Sequence, residues 1–195
     1  CLRRQPGPDA AGRRAWVSIV FDGRAIEVTA LAEGTQNPGS KPDHPEWYNR
    51  AYLAVLLNPG HDHITRRLYA VDDRGEVVRE AHWIAQGEEA GDEGSNRLED
   101  PPRATGSFTP MADGKFLACL RIPTDGFRAT AGQPVGFRVQ VGFHELAITE
   151  SLNWPERVDW TGDTPLAFGD LYLEEARLAV REIEIVEPVW GGDPS

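Results

Sequence analysis

Tryptophans in loops are the residues of this sequence best suited to bind a ligand. Trp47, Trp154 and Trp160 each lie in a stretch rich in Pro, Asp or Asn. A large aromatic ring is costly to expose unless it covers the core or contacts a partner. Sugars present faces of C–H groups that stack on such rings, and their hydroxyl groups need polar side chains nearby. The pattern predicts a sugar platform, and tryptophans folded back as lids on the core are the alternative.

The sequence contains no motif that indicates catalysis. It has no Gly-x-Ser-x-Gly, no Gly-rich phosphate loop after a predicted strand and no His-Glu-x-x-His. None of its 31 acidic residues is singled out by context as part of a pair for glycoside hydrolysis. We therefore expect a binding domain and not an enzyme. A fragment of a glycoside hydrolase or polysaccharide lyase is the last alternative.

Side chains that could hold a metal are few. His61 and His63 have a spacing that would place both rings on one face of a strand, but no third ligand is evident. Asp72 and Asp73 offer carboxylate oxygens for a structural calcium, although Asp is favoured at turns in any case. We expect no required cofactor, with calcium at these aspartates as the alternative.

The charge of the chain limits its partners and its location. A formal net charge of -11 over 195 residues repels phosphate backbones and anionic lipids, so we expect neither nucleic acid nor an anionic membrane surface as a partner. No apolar run is long enough to span a bilayer, so we expect no membrane insertion. We expect a monomeric domain of a secreted, periplasmic or cell-surface protein. A fragment of a longer protein could begin at any residue; the alternative is that Cys1 is the lipid-carrying first residue of a mature lipoprotein.

Strand-length apolar or alternating stretches recur along the chain between Gly, Pro, Asn and Asp turn signals. They lie at residues 16–21, 25–32, 51–57, 64–71, 76–81, 104–109, 116–122, 135–143, 171–174 and 179–186. Turns containing Asp and Gly predict three hairpins, at 22–23, 73–75 and 113–114. A helix is the alternative for the last stretch, which also carries good helix formers.

These elements predict an all-β fold, an antiparallel β-sandwich that is jelly-roll-like and has long loops. Residues 1–14 are expected to be a linker or tether, 15–187 the domain and 188–195 a tail. The acidic, Gly-rich segment 86–103 is expected to be an exposed, mobile loop. Trp16 opens the first strand and is expected in the core.

Several of these stretches, taken in order, resemble a family 9 carbohydrate-binding module. The loop from Trp154 to Trp160 leads to the Phe-Gly-Asp-Leu run at 168–171, similar to the family's C-terminal signature. Trp47 and the apolar run that follows it, with the stretches 64–71, 116–123 and 135–141, match the upstream strands in order. The resemblance covers about residues 15–174, and the family's usual first strand is missing.

The resemblance implies a non-catalytic module that clamps a sugar ring between two tryptophans. Trp47 matches the first of these and Trp160 the second, while Trp154 matches a tryptophan that is more often structural. Candidate hydrogen-bonding partners for the sugar are Asn49, Arg138, Gln140 and Asn153.

Departures from the family's polar residues support a second hypothesis. An acidic pair is replaced by Arg50 and Leu53, an arginine by Ala70 and an asparagine by Gly142. A structural β-sandwich with a degenerate sugar site is therefore the main alternative.

Overall fold

The computed structural model describes residues 13–34, 47–60, 65–84, 95–98, 102–125, 134–143, 152–155, 168–173 and 179–186. Within these ranges the chain is built from β-strands and two short 3-10 turns. The strands are β1 Arg14–Phe21, β2 Ala25–Glu33, β3 Tyr52–Asn58, β4 Thr65–Asp72, β5 Val77–Ile84, β6 Ser95–Leu98, β7 Thr105–Pro110, β8 Phe116–Pro123, β9 Pro134–Gly142, β10 Leu152–Trp154, β11 Gly169–Tyr172 and β12 Ala179–Val186. No helix in this part of the chain has the length and apolar character needed to cross a bilayer.

The strands form two antiparallel sheets, as the sequence predicts. The five-stranded sheet has the order β12-β1-β2-β8-β7. In the seven-stranded sheet, six strands lie in the order β10-β9-β3-β4-β5-β6. The seventh, β11, pairs with β9 next to β10. The all-β sandwich is thus confirmed, and the stretch 179–186 is a strand that pairs with β1 along its whole length.

All three predicted hairpins are present. Asp22 closes the first, since its carboxylate accepts hydrogen bonds from the backbone N–H groups of Arg24 and Ala25. Gly23, with φ of 86°, supplies the left-handed conformation that the turn requires. The Arg121 guanidinium, followed by those two N–H groups, lowers the pKa of Asp22 to about 2.

The core lies between the two sheets and follows the two-residue period of the strands. On β1, Val17 and Ile19 point inward and are at most 3% exposed. On β3, Leu53, Val55 and Leu57 face them from the other sheet and are fully buried. The expectation that the 51–57 stretch is buried on both faces is confirmed, because every residue of β3 is buried.

Three details differ from expectation. Trp16 is not a core residue: it alternates with Ala15 and Val17, so it lies half-buried on the outer face of the five-stranded sheet. There the Arg14 guanidinium lies 5.7 Å from its ring centroid. The segment 86–103 is not wholly a loop, because β6 pairs with the edge of β5. β1 also begins at Arg14, two residues before the start of the predicted strand stretch 16–21.

Strand β8 provides a direct test of this inside–outside pattern. Leu120 is fully buried in the core, whereas Leu117 on the same strand is 41% exposed on the outer face. Leu120→Ala should lower the free energy of unfolding by about 3 kcal/mol, because it removes buried surface and leaves a cavity. Leu117→Ala should change it by less than about 1 kcal/mol. Urea denaturation measures both, and equal losses would contradict the assigned faces of β8.

Candidate functional site

Trp47 is held on the outer face of the seven-stranded sheet. It begins the 3-10 turn Trp47–Asn49, which leads into β3, and its carbonyl accepts the backbone N–H of Arg50 at 3.1 Å. Its half-buried indole meets the ring of Tyr52 edge to face, with centroids 5.0 Å apart and planes at 84°. The predicted loop tryptophan is therefore fixed against a strand.

Three of the predicted polar residues lie on this same face. Arg138 and Gln140 alternate along β9 with the core residues Phe137 and Val139, and so point away from the core. Asn153 of β10 lies directly opposite Gln140. The Arg138 Nη2 atom donates a hydrogen bond to the Asn153 Oδ1 atom at 3.2 Å. Strand register thus groups a guanidinium and two amides at one edge of the sheet.

Gln140 has the chemistry of a ligand-binding group. It is only 8% exposed and lies beside Asn153 on the outer face. Its amide offers both hydrogen-bond donors and an acceptor, as a sugar hydroxyl does, so the two groups can exchange hydrogen bonds.

The polar row continues into an apolar cluster on the same face. Gln140 pairs with Ala54, and Ala54 pairs with Ala70 on β4. Both alanines are fully buried together with Tyr52, and further apolar side chains pack on them. These are Trp47, Tyr48, Leu68 and Val78. Sequence reasoning missed this cluster; the unbroken apolar run of β3 was the signal for it.

The positions at which the sequence departs from the resembled family lie in different environments. Ala70 is on the outer face, in the apolar cluster. Leu53 faces the core, so a carboxylate at that position would not reach the outer face. Gly142 pairs with Tyr52, and a Cβ atom built on it would collide with the tyrosine ring.

Trp154 differs from its prediction in one respect. It is the last residue of β10 and not a loop residue. It pairs with the core residue Val139, and its ring packs 6.1 Å from that of Phe137 and against the core cluster. Its side chain therefore points to the opposite side of the sheet from Asn153.

Two predicted site residues are not tested by this geometry. Trp160 lies outside the described residues, as do Cys1, His61 and His63. Asn49 ends the 3-10 turn, but its side chain is not among those described. The clamp formed by Trp47 and Trp160 stays a prediction.

The aspartates that the sequence offered for calcium are paired with arginines. Asp72 is fully buried, and its carboxylate accepts two hydrogen bonds from Arg74 Nε and one from Arg74 Nη2. Arg50 lies 3.4 Å from the Asp72 carboxylate and 2.5 Å from that of Asp73. Among the described residues no three His, Cys, Asp or Glu side chains are grouped to hold a metal ion. The guanidinium groups supply the positive charge that calcium would bring.

Two solved structures with a similar fold are carbohydrate-binding modules. One is a carbohydrate binding module family 9 (CBM9) from Caldicellulosiruptor kristjanssonii in complex with glucose, with a TM-score of 0.57. A second holds cellotriose, with a TM-score of 0.54. Each is 15% identical to this chain, and each match covers 84% of it. The matched part is 78% of the glucose-bound protein and 76% of the cellotriose-bound protein.

No family model and no curated protein matches this chain in sequence. The likeness to the two solved structures confirms the resemblance of fold that the order of motifs predicts.

The buried carboxylate beside the Trp47 turn gives a prediction for stability. Asp72→Asn should lower the free energy of unfolding by about 3 kcal/mol, because it leaves the arginines around it without their compensating charge. Asp125→Asn is the matched control, since that side chain is 69% exposed in its pair with Arg103. It should cost less than about 1 kcal/mol. Urea denaturation of both variants measures the difference; a similar small loss in each would show that the buried network contributes little.

Proposed function

We propose that this domain binds a glycan without catalysing a reaction. Trp47 provides an aromatic face for a sugar ring, and Gln140, Asn153 and Arg138 provide hydrogen-bonding groups beside it. Trp160 is proposed as the second wall of the slot, and Asn49 as a further polar contact, both from the sequence resemblance.

The observation that carries this proposal is the shared face of the seven-stranded sheet. Trp47 contacts Tyr52, Tyr52 lies across from Gly142, and Gln140 is the next outward-facing residue on that strand. An aromatic ring near amide groups suits a sugar, which has apolar C–H faces and a rim of hydroxyl groups. The fold likeness to modules solved with glucose and cellotriose supports the same conclusion. These two sugars are the first ligands to test.

The apolar cluster favours one alternative function. Tyr52, Ala54 and Ala70 are at most 2% exposed, so these three residues present almost no accessible polar surface with which to recognise a hydroxyl group. A structural β-sandwich whose sugar site has degenerated would have such a face. Binding experiments separate this alternative from the proposal.

The location of the domain also remains a proposal. We place it outside the cytoplasm, as part of a larger secreted or surface protein. Anchoring through a lipid on Cys1 is the special case, and that residue lies outside the described part of the chain. Mass spectrometry of the protein from its native membranes would detect the added acyl mass.

Calorimetric titration with glucose, cellotriose and a wider glycan panel tests the binding proposal. Trp47→Ala should weaken binding at least about tenfold, because stacking of a ring on an aromatic face is lost. Gln140→Leu should weaken it about tenfold through loss of a buried hydrogen bond. Trp16→Ala is the matched control: it removes a half-buried tryptophan from the other sheet and should leave affinity within about twofold.

Three outcomes would decide against this assignment. Absence of heat with every glycan favours the structural module. Equal losses in Trp16→Ala and Trp47→Ala indicate a general effect on folding. Full affinity in Trp47→Ala places the site elsewhere on the molecule.

A further inference from the structure

Tyr52 fills the space above a glycine on the neighbouring strand. It pairs with Gly142 of β9, and a Cβ atom at that glycine would collide with the Cδ1, Cε1 and Cζ atoms of the tyrosine ring. The ring therefore occupies the space that a side chain at position 142 would need. Only 2% of Tyr52 is exposed, so the ring is a buried part of the sheet face and not a surface for a ligand.

The indole of Trp47 is fixed between two tyrosines. Its plane is at 84° to that of Tyr52, and at 80° to that of Tyr48 with centroids 5.7 Å apart. Edge-to-face pairs of this kind are favourable beyond the area that they bury. Because Tyr52 is packed against β9, its ring holds the indole of Trp47, which lies in a turn, in a fixed position relative to the sheet. A ring already held in place loses less conformational entropy when a ligand stacks on it.

We infer that Tyr52 is a positioning residue of the glycan site, which sets the orientation of the Trp47 indole, and that Gly142 makes this possible by leaving room for the tyrosine ring. The inference rests on the proposed function and adds to it two residues that need not touch the sugar. The tyrosine hydroxyl is not needed for this role, because the edge-to-face contact uses the ring.

NMR of the whole chain tests the positioning directly and needs no ligand. The indole Nε1–H signal of Trp47 is identified as the one that disappears in Trp47→Phe. Tyr52→Leu removes the aromatic edge contact and should shift this signal. Gly142→Ala should shift it as well, because the new methyl group displaces the tyrosine ring. Tyr52→Phe is the conservative control and should leave the signal in place.

Titration of the same variants links the positioning to binding. Glycan affinity should fall about fivefold to tenfold in Tyr52→Leu and Gly142→Ala and stay within about twofold in Tyr52→Phe. The thermal midpoint of the Gly142→Ala/Tyr52→Leu double variant should lie above that of Gly142→Ala alone, since a flexible leucine can give way to the methyl group. If Gly142→Ala does not fold, the comparison of Tyr52→Leu with Tyr52→Phe carries the test.

The outcomes separate this inference from the function on which it rests. Absence of binding by the wild-type chain overturns the proposed function itself. An unshifted Trp47 signal in Tyr52→Leu overturns the positioning role. So does unchanged glycan affinity in Tyr52→Leu when Trp47→Ala has lost binding.

Discussion

Strand β3 buries both of its faces, and side chains must therefore cover it on two sides. Its residues Leu53, Val55 and Leu57 are covered by the five-stranded sheet. On its other face, Tyr52 and Ala54 belong to a second apolar cluster. The turn that immediately precedes the strand supplies part of that cover, because Trp47 and Tyr48 pack back onto it. The position of the candidate site thus follows from a packing requirement of the central strand.

The same turn is also held by charge. Arg50 is 8% exposed and pairs with Asp72 and Asp73 at the end of β4, while the Asp73 N–H donates to the Ala51 carbonyl. A fully buried carboxylate such as that of Asp72 needs nearby positive charge, since desolvation would otherwise disfavour it. Two arginines, Arg50 and Arg74, provide this charge. Two kinds of contact therefore hold the turn against the sheet. Trp47 makes aromatic contacts, and Arg50, which follows the turn, makes ion pairs.

Much of the fold could be predicted from local sequence, because hairpin turns and strand period are local properties. The Asp-Gly turns and the alternation of β9 belong to this class, and the alternation also places Arg138 and Gln140 on one face. Short strands were harder to predict. β6 and β10 have four and three residues, and each pairs with the strand before it in the chain without the short Asp-Gly turn that signals the other hairpins.

Side-chain direction and long-range contacts explain the remaining errors. Successive residues of β1 point to opposite faces of the sheet, and Val17 points to the core. Trp16 therefore faces outward, although it is large and aromatic. The Pro- and Asn-rich sequence around Trp154 predicts a loop, yet the pairing of Trp154 with Val139 directs its side chain to the core side. The contacts of Tyr52 with Gly142 and of Arg50 with Asp72 join residues far apart in sequence. No local pattern indicates them.

The amide of Gln140 distinguishes a binding face from a purely structural one. Its neighbours across β3 and β4, Ala54 and Ala70, are small and apolar, as suits a face that only has to be covered. An apolar residue at position 140 would continue that cover, whereas the amide of Gln140 places hydrogen-bond donors and an acceptor at its edge. The row instead changes from apolar to polar at this residue, two residues along β9 from the Gly142 that accommodates Tyr52. A ligand with an apolar side and a hydroxyl rim fits such a boundary, and a sugar ring has both.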